Sequence, residues 1–387
     1  MEEQGNQMLF ALLRTAICGG LLTDAQKTAF SEEQLPELME LAHKHDVKHL
    51  LALGLNKNQL LDADGRKDME RLTIRAAFRY EQLNYTLEQL CTALESAQIA
   101  FMPLKGSVIR KYYAQPWLRT SCDIDILVHE EDLDRAVDYL TGQCGFIYKE
   151  KGPHDVLLLS ENRTHFELHY TLIADGFAKS APEVLRGVWE ATQVKEGKQY
   201  HHEMTDAMFY FYHVAHMAKH FEEGGCGIKP FIDLWILDKV EGADWKKRDA
   251  LLKKGGLLTF ADAARRLSKV WLDGAQMDAL SQQMENYILR GGVYGNMENR
   301  VTVQQQRKGG PLRYALSKIF IPYDTIKFHY PVLQKHRWLT PFMQVRRWCK
   351  LLFCGHIKRA MNELQYNSSV TDTAAADTQK FLKNIGL

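Results

Sequence analysis

Between Arg119 and Val128 the chain places two carboxylates, Asp123 and Asp125, at alternate positions of an otherwise apolar, β-prone run. In a strand successive side chains point to opposite faces, so the two acids share one face while Ile124, Ile126 and Val128 take the other. Paired carboxylates on a rigid strand are a divalent-cation signature. Mg²⁺ is usually held by one or two carboxylates together with substrate phosphates, so the spacing points to phosphoryl or nucleotidyl transfer from a nucleoside triphosphate. A bare Asp-x-Asp also ends strands at a solvated edge, so its neighbours must decide between the two.

Upstream, a short apolar strand from Phe101 runs through Leu104 and Lys105 into Gly106-Ser107 and then an amphipathic helix to Tyr113. Gly106 lets backbone approach a ligand closely, and Ser107 is placed at or beside the helix N-cap, where free N–H groups and a hydroxyl favour a phosphate. The same turn serves equally as an ordinary strand-to-helix connection. Downstream, the run Thr164 to Tyr170 alternates strictly, so His165, Glu167 and His169 face one way and Phe166, Leu168 and Tyr170 the other. Glu167 is thus a candidate third carboxylate. Two-metal transfer, with ions about 3.5–4 Å apart, needs such a set to polarise the α-phosphate, activate an acceptor hydroxyl and stabilise the leaving pyrophosphate.

Together these pieces resemble the polymerase-β-like nucleotidyltransferase superfamily, whose pattern is a Gly-Gly or Gly-Ser helix start, then Asp-x-Asp, then a later third carboxylate. Most closely the chain resembles a broad bacterial family of uncharacterised nucleotidyltransferases that share Leu-Lys-Gly followed by Arg-x-Ser-x-Asp-Ile-Asp, here Leu104 to Gly106 and Arg119 to Asp125. Abortive-infection-type nucleotidyltransferases are similar there too. The motif-bearing likeness spans residues 98–240, and the stretch from Ser107 to Asp123 is longer than in many superfamily members. The resemblance implies Mg²⁺ or Mn²⁺ at Asp123, Asp125 and Glu167, with a nucleoside triphosphate met by Lys105, Gly106, Ser107, Arg119, Ser121, Lys229 and Asp233.

The last two follow a glycine turn, Gly224 to Gly227, that opens an apolar helix. Lys229 and Asp233, four apart, form a same-helix ion pair on the plainest reading; in the resembled family a cation there meets phosphates. The preceding segment brings His213, His216 and His220 to one helical face. Three imidazoles at that spacing could ligate zinc, yet no acidic partner or cysteine completes a site, and they read instead as lining a polar interface or the substrate cleft.

The positioning elements follow from hydrophobic periodicity. Strands are expected near 98–104, 123–128, 145–150, 155–160 and 164–170, with helices near 107–114 and 130–142; on the latter, Leu133, Ala136, Val137 and Leu140 form the face that packs behind the sheet. The fold class expected is α+β, a small mixed-sheet nucleotidyltransferase palm flanked by N-terminal and C-terminal helical regions. Five segments are delimited: an N-terminal helical region 1–96, the palm 97–178, a helical domain closing the nucleotide cleft 179–300, a basic aromatic helical segment 301–365 and a flexible tail 366–387 with a mobile linker over 367–378 before a short terminal helix. In the first of these, His43, His45 and His49, interleaved with Lys44 and Lys48, read as a solvated helix face.

From Arg307 to Arg359 the chain carries twelve lysines and arginines against one acid, Asp324, with aromatic residues interleaved. Such a segment can grip RNA or lie on an anionic membrane; it also reads as a helical layer, broken at Pro322, Pro331 and Pro341, that packs its aromatics inward behind a solvated basic face. The remainder bounds the class. At 387 residues, 45% hydrophobic and 25% charged, composition is that of an ordinary globular chain, and the net charge of +1 names no partner. Seven scattered cysteines suit a reducing cytoplasm, and Cys349 with Cys354 reads as helix packing. Residues 8–17 read as an amphipathic helix without a basic leader, and no stretch reaches membrane-spanning length. The expected activity is transfer of a nucleoside monophosphate to an acceptor hydroxyl or phosphate whose identity the sequence leaves blank. Two alternatives stay open: a catalytically idle nucleotide- or RNA-binding protein, and a toxin-like enzyme acting on tRNA or protein.

Overall fold

The alternation around Asp123 is realised as a strand at the centre of a small mixed sheet. The computed structural model describes residues 2–174, 176–353, 357–370 and 372–387. Five strands, β1 (Phe101–Pro103), β2 (Asp123–Val128), β3 (Ile147–Lys151), β4 (Asp155–Leu159) and β5 (His165–His169), are ordered β1-β2-β5-β4-β3. Only β2 and β5 run parallel, and their register sets Asp123 beside His165 and Asp125 beside Glu167. Helices flank this sheet on both sides in the chain, giving an α+β fold.

One sheet face is apolar throughout. Ile124, Ile126 and Val128 of β2, Val156 and Leu158 of β4, and Phe166 and Leu168 of β5 form a dry cluster. Leu133, Ala136 and Leu140 of the helix Leu133–Gln143 cover it, together with Leu83, Leu90 and Leu94 of the long helix Ala63–Ser96. The long helix is started by Asp62, whose carboxylate accepts from the Gly65 N–H at 2.7 Å. The second core lies beneath the opposite face and is helical. It joins the N-terminal helices to Asp206–Glu222, Lys229–Asp238 and Leu258–Asp273.

Several elements differ from the sequence expectation. Residues 192–204 contain a two-stranded ribbon, β6 (Thr192–Val194) and β7 (His202–Met204), turned at Gly197 and joined to the palm through Phe101 and His201. Its strands are too short for periodicity to register. His45 and His49 are buried, and only His43 of that trio faces solvent; the chain leaves its helix at Lys44, so the helical wheel no longer applies. The segment expected to be a mobile linker is helical over Ile357–Ser369 and Asp372–Asn384, residue 371 lying outside the described set. Three alanines at 374–376 favour that helix, and Phe381, Leu382 and Ile385 pin it to the helical core. In the basic segment Pro322, Pro331 and Pro341 do open helices, but Phe320, Trp338 and Phe342 point outward rather than inward. Cys349 is on the helix Thr340–Phe353; Cys354 lies outside the described residues.

The apolar sheet face holds β2 in register, so truncating it should be costly. Ile126→Ala is expected to destabilise the protein by about 2–5 kcal/mol, read as a lowered urea midpoint at unchanged slope. A loss below about 1 kcal/mol would mean that β2 is held by something other than this packing.

Candidate active site

The polar edge of the sheet and the helical region face each other across a cleft of about 390 Å³. On the sheet side stand Asp123 and Asp125 of β2 and Glu167 and His169 of β5. Asp125 is the most enclosed: one of its oxygens, Oδ1, accepts from Lys105 Nζ at 2.7 Å and meets His169 Nε2 at 2.8 Å, while His169 Nε2 also lies 3.3 Å from Glu167 Oε2. Asp125, Glu167 and His169 bring one ligand atom each within 4.8 Å of one another, a grouping that could hold a metal ion.

Local sequence explains how Lys105 reaches Asp125. The Leu104 N–H donates to the Asp125 carbonyl at 2.9 Å, extending the β1–β2 pairing, and Lys105 then adopts a left-handed φ of 46° at the start of the helix Lys105–Ile109. A non-glycine residue in that region costs of order 1–3 kcal/mol and is kept only where surroundings impose it. Gly106 follows because space is short: a Cβ there would lie 3.2 Å from Ser121 Cβ and 3.8 Å from Arg119 Nη1. Both flank the cleft.

The carboxylates titrate apart. Burial pushes Asp125 up, but Lys105 and the His169 hydrogen bond outweigh it and hold this group well below the usual range. Asp123 has no such bond, and burial, then the charges of Asp125 and Glu167, push it up to about 6 against the pull of Lys105. Lys105 is raised: burial disfavours its charge, but Asp125 more than compensates. For His169 burial and Lys105 act downward, and the hydrogen bonds to Asp125 and Glu167 prevail to raise it.

On the facing wall His213, His216 and His220 of the helix Asp206–Glu222 all line the cleft, beside Tyr212 and Lys219. His216 and His220 bring their Nε2 atoms 3.3 Å apart, and His213 Nε2 lies 2.9 Å from the Pro230 carbonyl. Burial, and for His216 the charge of a protonated His220, hold the first two far below the ordinary value, His220 at about 3. They are neutral imidazoles at pH 7.

Lys229 and Asp233 do not pair with each other. Helical spacing allows it, but each finds a partner elsewhere in the chain. Asp233, 1% exposed, accepts from Arg119 Nε at 2.7 Å and from the Tyr113 hydroxyl at 2.6 Å. Lys229 binds Asp46, whose other contact is the Thr120 hydroxyl at 3.2 Å. Arg119 keeps its charge despite burial because of Asp233, whereas burial and the Arg119 charge lower Lys229 against the pull of Asp46. Three of the cleft's cations, Lys105, Arg119 and Lys229, thus each sit on a carboxylate from a different part of the chain, and Lys219 lines the cleft as a fourth.

Ser107 is placed elsewhere. Its N–H donates to the Leu104 carbonyl at 3.1 Å, its hydroxyl is buried without a hydrogen-bond partner, and the residue lines a neighbouring hollow with Tyr80, Arg110 and Lys195. Ser121, by contrast, lines the cleft and accepts from Arg110 Nη2 at 2.9 Å. Asp46 and Tyr294 line the cleft and Thr120 holds Asp46, yet none of these carried a signal in the sequence. Pairs separated by 74 and 183 positions leave no spacing pattern. The alternation around Glu167 did put His169 on the acidic face.

A family model described as an uncharacterised nucleotidyltransferase matches residues 31–273. The chain belongs to this nucleotidyltransferase family. Among curated proteins and solved structures, none matches it. The match extends well beyond residues 98–240, and within it fall all four carboxylates of the cleft's ion pairs and metal-type cluster just described, including Asp46 of the N-terminal helical region. Tyr294 and the basic C-terminal segment lie outside it.

Two outcomes test the geometry. Because the Asp123 pKa is raised, the folded protein holds a proton that the unfolded chain releases, so this group's contribution to stability falls as pH rises from about 4 to about 6. Cation binding needs the ionised form and runs the other way: Mn²⁺ affinity followed by electron paramagnetic resonance should rise up to roughly tenfold per pH unit below about 6 and flatten above it. Separately, Asp233→Ala leaves Arg119 buried without its carboxylate and is expected to cost about 3–5 kcal/mol in thermal or chemical denaturation.

Proposed function

We propose that this chain transfers a nucleoside monophosphate from a nucleoside triphosphate to an acceptor hydroxyl or phosphate, with release of pyrophosphate, using Mg²⁺ or Mn²⁺. The observation that carries this reading is the parallel β2–β5 register, which aligns Asp125 with Glu167 beside Asp123 at the floor of a cleft that also holds Lys105. The donor set fits a hard divalent ion: Asp125, Glu167 and His169 bring their ligand atoms together, and Asp123 stands beside them, its pKa pushed up to about 6 by burial and then by the neighbouring carboxylates. Asp123, Asp125 and Glu167 would hold the ion, with His169 fixing the orientation of the last two. When bound, it would supply charge neutralisation at the α-phosphate and lower the pKa of the acceptor oxygen.

The remaining work falls to the chain itself. The acceptor oxygen forms a bond to the α-phosphorus as the bond to the bridging oxygen of pyrophosphate breaks; the acceptor's proton passes to a carboxylate, for which Glu167, half-buried, is the candidate base. Gly106 permits backbone approach to the β- and γ-phosphates, with Ser121 rather than the Ser107 hydroxyl beside it. Lys105 can exchange Asp125 for a phosphate oxygen once the carboxylate has a cation of its own. Arg119 and Lys229 line the cleft and stiffen its wall through Asp233 and Asp46. Such a transfer is catalysed chiefly by positioning and charge stabilisation, which this inventory supplies. Residues 179–300 would close the cleft over the nucleotide.

The test is nucleotide-dependent labelling with each of the four common triphosphates, measured as pyrophosphate release. Asp123→Asn and Asp125→Asn are each expected to lower the rate by on the order of 10²-fold or more with the fold intact by circular dichroism. Full activity in both variants, or triphosphate binding without pyrophosphate release in the unaltered protein, would contradict the reading.

A further inference from the structure

The basic segment past residue 307 is not used by the cleft, and its surface has a definite character. Along the helix Pro311–Ile319 and just beyond it, Leu312, Leu316, Ile319 and Phe320 are exposed at spacings that put them on one side. Along Thr340–Phe353, Phe342 and Val345 are exposed and Cys349 continues the stripe. Trp348 joins the two helices, its indole N–H donating to the Ile319 carbonyl at 2.8 Å and its ring meeting Phe320 edge-on at 5.3 Å. Trp338, 70% exposed, packs edge-on to Phe342 at 6.3 Å. Around this patch Lys335, Arg337, Arg346 and Lys350 are exposed, and none has a carboxylate partner among the described residues. The one acid of the whole 307–359 stretch, Asp324, is taken by Lys327 at 3.0 Å.

We propose that this face docks on the surface of an anionic phospholipid bilayer. Exposed aromatic and aliphatic side chains beside cations that lack a carboxylate partner are the makeup of an interfacial helix, in which the apolar residues enter the headgroup boundary and the cations meet lipid phosphates. Trp338 and Phe342 supply amphipathic and apolar rings of the kind that settle at that boundary. Charge disfavours a second copy of the same face, because the exposed Lys335, Arg337, Arg346 and Lys350 of the two copies would repel one another. The exposed aliphatics Leu312, Leu316 and Val345 disfavour RNA, which rewards stacking rings and cations but gains nothing from leucine and valine. The segment lies beyond the family match, which ends at residue 273, and the proposal stands whether or not the cleft transfers nucleotides.

The experiment is flotation of the full-length protein with vesicles of phosphatidylcholine alone and of phosphatidylcholine mixed with phosphatidylglycerol. The expected result is at least about tenfold more protein on the anionic vesicles, weakening as salt rises. Phe342→Asp with Val345→Asp should abolish flotation, and Arg346→Glu with Lys350→Glu should remove the preference for anionic lipid, both without changing the thermal transition because all four side chains are exposed. Equal partition of the unaltered protein and both variants would overturn the proposal. So would an unaltered protein that stays off anionic vesicles but binds single-stranded RNA, or that sediments as a dimer which the Phe342→Asp, Val345→Asp variant converts to a monomer.

Discussion

Three carboxylates brought to one face of two adjacent strands repel one another, and the arrangement of the cleft follows from how that repulsion is offset. Asp125 takes the only close cation, Lys105, together with the His169 hydrogen bond, and is stable as an anion although nearly buried. Asp123 is left with the unfavourable share and holds a proton to about pH 6. A site in this state is short of positive charge. On the proposed reading, a divalent ion arriving with a triphosphate would offset that deficit, and the phosphates would give Lys105 somewhere to go once Asp125 is otherwise neutralised.

The same logic governs the cleft wall. Arg119 and Lys229 are largely buried cations that need a carboxylate partner to tolerate their charge, and each finds one across the fold: Arg119 reaches the buried Asp233 on the helix Lys229–Asp238, and Lys229 reaches the partly exposed Asp46 just after the helix Leu35–Lys44. Breaking either pair strands a buried charge, so these contacts tie the segment 116–122 that delivers the aspartates to both helical regions. Arg119 and Lys229 thereby act as struts of the cleft wall. The neutral His216 and His220 opposite add polar groups without adding charge to a site already lined by Lys105, Arg119, Lys219 and Lys229.

Short-range features of this design are readable in the sequence. The strict alternations 123–128 and 164–170 mark two adjacent strands, their polar face and Glu167 as a third carboxylate, because side-chain direction in a strand depends only on position; the register that sets Asp125 beside Glu167 is a tertiary feature. The α+β class followed from where that period of two interrupts helical periodicity. Contacts set by tertiary packing were not readable. Helical spacing suggested a Lys229–Asp233 pair, yet burial offered each a stronger partner more than a hundred residues away. The Gly-Ser turn suggested a serine facing phosphate, but the left-handed backbone at Lys105 turns the following helix so that Ser121, from the next segment, comes up against Gly106 instead. His45 and His49 looked solvated because their lysine neighbours are; a chain reversal at Asp46, with φ of 53°, hides the imidazoles and delivers the Asp46 carboxylate to the cleft.

The most direct measurement is a crystal structure with Mn²⁺ and a non-hydrolysable nucleoside triphosphate analogue, in which anomalous scattering locates the ion. Metal-centred nucleotidyl transfer requires the anomalous peak to fall on the carboxylates of Asp123 and Asp125, with Lys105 Nζ withdrawn from Asp125 toward a phosphate. Nucleotide bound in the cleft with no peak there and the Lys105–Asp125 pair intact at its present 2.7 Å would contradict it.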